Sequence, residues 1–411
     1  MTLTQTLLVQ FLLVVPIPFI VFAGFGSRRI VPLAVLQVLI GIALGPSLFG
    51  RLAPELSSML FRPDTLAPLT GLGSVAVLLF SFVTGLHLDL SHVRGRTSAL
   101  AILVASSILV PFAAGIACGY WIVGLDDVAG MHPLTFAMAI GICTTVTAMP
   151  VLGAILREMG LLAHRVGQIA LSLAAINDAV MWVALTLLLA RAGMRGTEPE
   201  RLLLLPFYLA AMILLVRPAL ARGAKRMLRQ DGGLKDSALA IVGGVAIGSG
   251  LLTEMMGIEF ILGAFLAGAM MPPVLRKPAL DRIESVTMIL LMPFFFMLTG
   301  LRTFLDFSST TFLEVFLVAT LVAFGTKVLS TAVAAYLTGE TWRSSLALGS
   351  LMQTKGLMEV VILTIFHSAG MISQGIFSAL ILSSVVCTAL TMPLTALALR
   401  RSPQALGQAN A

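Results

Sequence analysis

Apolar runs of about 20 residues recur from one end of this chain to the other, separated by short polar stretches. A helix of that length crosses the ~30 Å hydrocarbon core of a bilayer. The runs lack the period-two alternation of barrel strands, and in lipid only helices and closed barrels satisfy the backbone, so each run predicts a helix. About thirteen are expected, from 5–24 to 372–399. The first, Leu7 to Ala23, has no basic residue before it and no Ala-x-Ala site after it, so it is expected to be a retained helix rather than a signal peptide. The longest polar connection, RGAKRMLRQDGGLK from Arg222 to Lys235, is too short to fold alone and links two halves.

Three interruptions of this apolar pattern carry the candidate chemistry. The run from Val166 to Ala190 has Asn177 and Asp178 at its centre. A lone carboxylate there costs roughly 2.5–3.5 kcal/mol on insertion scales, and no other charge in that run offsets it, so it marks a functional site. The second and third interruptions are GICTTVTAMPVLG, from Gly141 to Gly153, and GSLMQTKG, from Gly349 to Gly356. Thirteen spans divide as six, one and six, which inverts the second six-helix repeat relative to the first. Both interruptions fall in the fifth span of their half. In the first, Pro150 is expected to clash one turn back and free the carbonyls near Thr144, Thr145 and Thr147. In the second, a Gln-Thr-Lys-Gly run ending at Gly356 is tolerable at membrane depth only where it lines a cavity. Two broken helices crossing there bring together half-helix ends of opposite partial charge. With Asp178 and Asn177 alongside, and the threonine oxygens as ligands, they make a small polar site able to hold a bare cation. Glu359 follows Lys355 at i, i+4 and can pair with it.

Composition agrees with a polytopic membrane protein: 58% of the 411 residues are hydrophobic and 11% charged, far from the quarter charged of soluble domains. The net charge of +7 reports topology rather than nucleic-acid binding, because the basic residues fall in short loops. Of 26 Lys and Arg, 18 lie in one alternate set: Arg28/Arg29, Arg94/Arg96, Arg157/Arg165, the 217–235 stretch, Arg276/Lys277/Arg282, Arg343 and Arg400/Arg401. The opposite set holds 6: Arg51, Arg62, Arg191, Arg195, Arg201 and Arg302. The positive-inside rule then places the N-terminus outside and the C-terminus in the cytoplasm of an inner or plasma membrane. Cys118, Cys143 and Cys387 lie within apolar runs and the histidines show no ligand spacing, so neither a disulfide framework nor a metal centre is expected. No cofactor is expected, and no Ser-His-Asp order, Walker loop, GxGxxG turn or HExxH helix suggests an enzyme. Gly244-x-x-x-Gly248 and the small residues from Gly263 to Ala269 suggest close helix packing or a homodimer surface. Nothing in the chain identifies a regulatory subunit.

Several segments together resemble the second group of monovalent cation:proton antiporters, which includes bacterial Kef-type proteins and plant cation/proton exchangers. They are QVLIGIALGPSLFG from Gln37, AVLLFSFVTGLHLDL from Ala76, TVTAMPVL from Thr145, AINDAVMW from Ala175, LGAFLAG from Leu262, PFFFMLTGLR from Pro293 and, most specific, MQTKGLME from Met352. The resemblance implies an all-α sodium/proton antiporter-like fold and an elevator-like exchange of Na+ or K+ for H+. It implies scaffold and dimer helices in 1–96 and 235–303, a moving core in 97–190 and 304–399, a linker helix and loop in 191–234 and a short tail at 400–411. Asp178 takes the place of the carboxylate that binds cation or proton, and Lys327 falls where related antiporters place a core lysine beside it. Asn177 stands where electrogenic relatives carry a second aspartate, which implies electroneutral exchange. Regulated relatives continue into a cytosolic domain, whereas this sequence ends at Ala411. The residues by themselves leave open a cation channel or gated K+ efflux system, which calls for a continuous polar path, and an exporter of an organic solute, which calls for a larger aromatic-lined cavity.

Overall fold

The computed structural model describes residues 2–24, 31–88, 97–125, 132–192, 199–230, 232–305, 311–368 and 370–399. The expected tail 400–411 and Arg28, Arg29, Arg94, Arg96 and Arg195 lie outside them. Among the described residues the regular structure is helical apart from one isolated bridge, Leu228 to Leu234.

Among the described residues eleven helices are long and apolar enough to cross a membrane. In chain order they and their shorter companions are α1 (Leu3–Gly24), α2 (Leu33–Leu52), α3 (Asp64–His87), α4 (Thr97–Val123), α5 (Pro133–Thr145) and α6 (Met149–Glu158). Then follow α7 (Arg165–Arg191), α8 (Glu200–Met227), α9 (Asp236–Met255), α10 (Phe260–Met270) and α11 (Pro273–Arg302). The last are α12 (Phe312–Leu337), α13 (Trp342–Met352), α14 (Leu357–Ser368) and α15 (Gln374–Leu399). The expected count of thirteen crossings is not met by full-length helices. α5 and α6 together make one of the eleven, whereas α10 is short and α13 and α14 are two half-helices separated by Gln353–Gly356.

Two bodies emerge from the packing. α4 packs on α5 and α12, and α13 packs on α12, α15 and α7, with α6 and α14 joined to them. In the other body α3 packs on α10 and α11, α2 on α11, and α9 on α10. The split helix lies deepest: 94% of the most apolar stretch of Pro133–Glu158 is buried, against 11% for α8, which runs along the periphery.

Glycines set the closeness of the second body. A Cβ on Gly300 would fall 2.1 Å from the carbonyl oxygen of Val38, and one on Gly41 would fall 2.2 Å from that of Met297. α2 and α11 therefore touch backbone to backbone, as α3 and α10 do through Gly85 and Gly268. Of the small residues marked in the sequence, Gly263 and Gly268 serve this packing, whereas Gly244 and Gly248 face open space in the single chain.

The boundary between the bodies is tied on one face and open on the other. On the tied face the Arg157 guanidinium meets Glu284 (Nη1 to Oε1, 2.5 Å), and His87 Nε2 lies 3.1 Å from the same oxygen. Nearby, the Leu33 N–H donates to Glu158 Oε2 (3.0 Å) and Gln168 Nε2 donates to the His87 carbonyl (2.9 Å). On the opposite face a crevice of about 380 Å³ separates α3, α10 and α11 from α14 and α15.

Gly300→Ala is expected to destabilise the folded protein by about 1–3 kcal/mol, because neither backbone can move aside. Gly248→Ala meets nothing within the chain and does not lower single-chain stability, since Ala favours a helix interior over Gly. Thermal unfolding in detergent, below any concentration that promotes association, checks the pair.

Candidate functional site

The site is built where the α5–α6 break crosses the α13–α14 break. Residues Val146–Ala148 are not helical. The break precedes Pro150, which occupies the first turn of α6, where its missing N–H is no loss. The two breaks pair with each other. The Ala148 N–H donates to the Thr354 carbonyl (2.9 Å), and the Thr147 hydroxyl donates to the Met352 carbonyl (2.7 Å). Gly356 allows this approach, since a Cβ there would sit 2.4 Å from Val151 Cγ2 and 3.1 Å from Ala148 Cβ.

Charges are sorted between the half-helix ends. Asp178, 3% exposed on α7, has its carboxylate against the Met149 backbone N–H at the partially positive start of α6. The partially negative end of α5 is taken by lysines. Lys327 Nζ donates to the carbonyls of Thr145 and Ser107, the latter at 2.9 Å. Lys355 Nζ donates to the Cys143 carbonyl at 2.6 Å and the Thr144 carbonyl at 3.4 Å, and pairs with Glu359 Oε1 at 3.2 Å, the expected i, i+4 contact. Both partners of that pair are buried, at 2% and 3% exposure, and the Ser384 side chain lies beside the Glu359 carboxylate.

The carbonyls freed at Cys143, Thr144 and Thr145 accept from the ammonium groups of Lys355 and Lys327. The Thr144 and Thr145 hydroxyls turn back on their own helix and donate to Ile140 and Gly141, the usual habit of buried threonine in a helix. Asn177 faces α4, where its Nδ2 donates to Ser107 Oγ (3.2 Å). No ion pair within 4.0 Å joins Lys327 to Asp178 among the described residues, although the two act on each other electrostatically.

Several participants had no distinct sequence signal. Ser107 is one serine among many, yet it links Asn177 to Lys327 through its hydroxyl and its carbonyl. On α15, Thr388 bonds both the N–H and the carbonyl of Lys355, and Thr391 receives Gln353 Nε2 at 3.1 Å. The spacing of these threonines on one face of α15 was legible only once the α13–α14 break had been placed beside it.

Comparison with known proteins gives the arrangement its context. Residues 11–399 match the family described as sodium/hydrogen exchanger, transmembrane. Cation/H(+) antiporter 15 of Arabidopsis thaliana is 30% identical over 390 residues, which cover 93% of this chain and 46% of the relative. K(+)/H(+) antiporter 1 of Saccharomyces cerevisiae is 29% identical over 383 residues, or 89% of this chain and 43% of the relative. The chain thus spans about half the length of these two relatives. Na(+)/H(+) antiporter NhaS4 of Synechocystis is 30% identical over 385 residues, covering 91% of this chain and 92% of the relative. The sodium proton antiporter MjNhaP1 of Methanocaldococcus jannaschii shares the fold, with a TM-score of 0.64 at 15% identity over 97% of this chain and 96% of that one. With its match running across nearly all of its helices, the chain belongs to the transmembrane sodium/hydrogen exchanger family.

Proposed function

We propose that the chain is a secondary antiporter that exchanges a monovalent cation, Na+ or K+, for H+ at Asp178. The observation that carries this reading is a buried carboxylate set against the positive end of α6 with no cationic side chain within ion-pair distance among the described residues. Such a group is costly when charged and alone. A proton or a bare cation relieves the cost, and the two compete for one place. Movement with neither bound carries an uncompensated charge through an apolar boundary, so uncoupled transit is blocked. The printed names of the relatives, which include Na(+)/H(+) and K(+)/H(+) antiporters, support the same substrates.

The body formed by α4–α7 and α12–α15 is the moving core in this reading, and α1–α3 with α9–α11 form the scaffold. A crevice on one face and polar ties on the other favour alternating access over a continuous pore. By the positive-inside rule the tied face is cytoplasmic, the crevice faces outward and the N-terminus is outside. The outward-facing Gly244 and Gly248 suit a homodimer contact within the bilayer. In the binding site Asn177 orients Ser107, while Lys327 and Lys355 hold the α5 end in place. The threonines Thr144, Thr145 and Thr147 shape the break, and among them Thr147 ties it to the partner break.

Exchange is electroneutral in this scheme. A second titrating partner for the core lysine is what lets an exchanger carry unequal charge on its two legs. Asn177 does not titrate, and both hydrogen-bond partners of Lys327 Nζ are neutral carbonyls. One carboxylate then trades one proton for one monovalent cation.

Asp178→Asn is expected to abolish cation-dependent proton flux in proteoliposomes while the protein remains folded, and normal flux by that variant would remove the assignment. Thr147→Ala loses one hydrogen bond, worth about 1 kcal/mol, and should raise the apparent KM for the cation about fivefold with a smaller change in maximal rate. Initial rates across a cation series measure this. With the membrane potential clamped at a series of values, the exchange rate and its end point should not follow the potential. A rate that tracks it would refute one-for-one exchange.

A further inference from the structure

The crevice has a charged residue that the exchange site does not use. Its wall is formed by Thr70 and Ser74 of α3, Phe295 and Thr299 of α11 and Thr364 of α14, with Glu259 at the α9–α10 junction. Asp178 does not line this space. Glu259 borders the crevice, and its charge acts on Asp178 from there. The α7 and α10 helices that carry or follow these two residues pack on each other.

A glutamate just before a helix most often serves that helix. Glu259 does not. It precedes α10 without a side-chain capping bond. The hydrogen bonds that it makes are through its backbone carbonyl, to Leu262 N–H and the Thr253 hydroxyl. Its carboxylate has no hydrogen bond or ion pair among the described residues. The nearest alternatives are already engaged or of the wrong sign. The Glu254 carboxylate accepts from the Phe260 N–H at 3.0 Å. Arg302 is exposed at the crevice rim, where its guanidinium bonds the Thr70 hydroxyl. A half-buried carboxylate beside another acid, with Phe260, Phe295 and Leu298 as apolar walls, lowers the local dielectric and strengthens its pull on a small cation.

We propose that Glu259 is a vestibule site for the transported cation: it takes a partly hydrated Na+ or K+ from the crevice and delivers it to Asp178. This rests on the antiport reading above. The Glu259 carboxylate replaces part of the hydration shell before the ion reaches the drier site, and the hydroxyls of Thr70, Ser74 and Thr299 are among the other oxygens along the wall. Because the attraction acts over distance, it weakens as salt shortens the screening length, from about 30 Å at 0.01 M to about 8 Å at 0.15 M.

Two measurements test the site. In proteoliposomes Glu259→Gln should raise the apparent KM for Na+ or K+ about fivefold at ~0.01 M ionic strength, with maximal rate within about twofold of the unmodified protein. The increase should shrink at ~0.3 M ionic strength set with choline chloride, and Glu259→Asp, which keeps the charge, should restore most of the affinity. An unchanged KM at low ionic strength, or equal impairment in both variants, overturns the proposal. The second measurement needs no transport. In purified Asp178→Asn protein, a carbodiimide should modify Glu259, as read by mass spectrometry, and NaCl or KCl should protect it where equal choline chloride does not. No modification, no protection, or equal protection by choline overturns the site. If the unmodified protein shows no exchange while protection is cation-specific, the antiport reading fails and the site stands. If exchange is intact without protection, only the site fails.

Discussion

A helix cannot be interrupted inside a bilayer unless something else satisfies the peptide groups that the interruption frees, and this structure is arranged around meeting that demand twice at one place. The α5–α6 and α13–α14 breaks answer each other: Ala148 N–H reaches Thr354, and the Thr147 hydroxyl reaches Met352. What the breaks cannot supply to one another comes from side chains of the surrounding helices. Lys327 arrives from α12, Lys355 from the break itself and Thr388 from α15. Each unsatisfied group would cost several kcal/mol in hydrocarbon, so neither break could persist without the other and its escorts.

From that constraint follows the electrostatic order of the site. Each half-helix end carries a fraction of a charge, and the fold places opposite side-chain charges beside each: ammonium groups at the end of α5, a carboxylate at the start of α6. The lysines are held by several bonds and act as fixed parts. Among the described residues neither Lys327 nor Asp178 has an ion-pair partner, but Lys327 is held by two backbone carbonyls, whereas Asp178 lies against the Met149 backbone N–H at the start of α6. The Lys355–Glu359 pair, buried on both sides, adds rigidity to the α14 half of the crossing, and a buried pair of this kind is better understood as fixing geometry than as adding stability.

Much of this was legible in the sequence because membrane burial makes polar residues conspicuous. Asp178, Lys355 and Glu359 stand out in apolar runs, and the two interrupted segments fall at matching places in the two halves. The chain of local inference failed where it depended on three-dimensional partners. Pro150 was expected to free carbonyls by a clash one turn back, whereas it begins a half-helix and the break lies a few residues before it. The sequence offers the carbonyls near Thr144 as cation ligands, and no linear rule says that two lysines, 182 and 212 residues away along the chain, also bond to this helix end. Ser107 and Glu259 had no pattern to betray them: one is a serine in an ordinary apolar helix, the other sits at a junction whose neighbours come from three separate segments. The short α10 reads as a full span from hydropathy alone and is identified as a half-length helix only by its ends.

The glycine contacts described in the fold have a mechanical meaning. Where α2 meets α11 and α3 meets α10, the closest approach is backbone on backbone, like teeth cut into two rigid rods. Such surfaces engage in one register and lose all of their contact if either rod slips. At the boundary between the two bodies the corresponding glycine, Gly153, faces the side-chain methyl and hydroxyl of Thr84 and the ring of Phe80 instead. Side chains can change rotamer where a main chain cannot, so this surface is keyed to a single register less strictly than backbone on backbone. The same residue type therefore locks one interface and smooths another, and the difference lies only in whether a main chain or a side chain stands opposite.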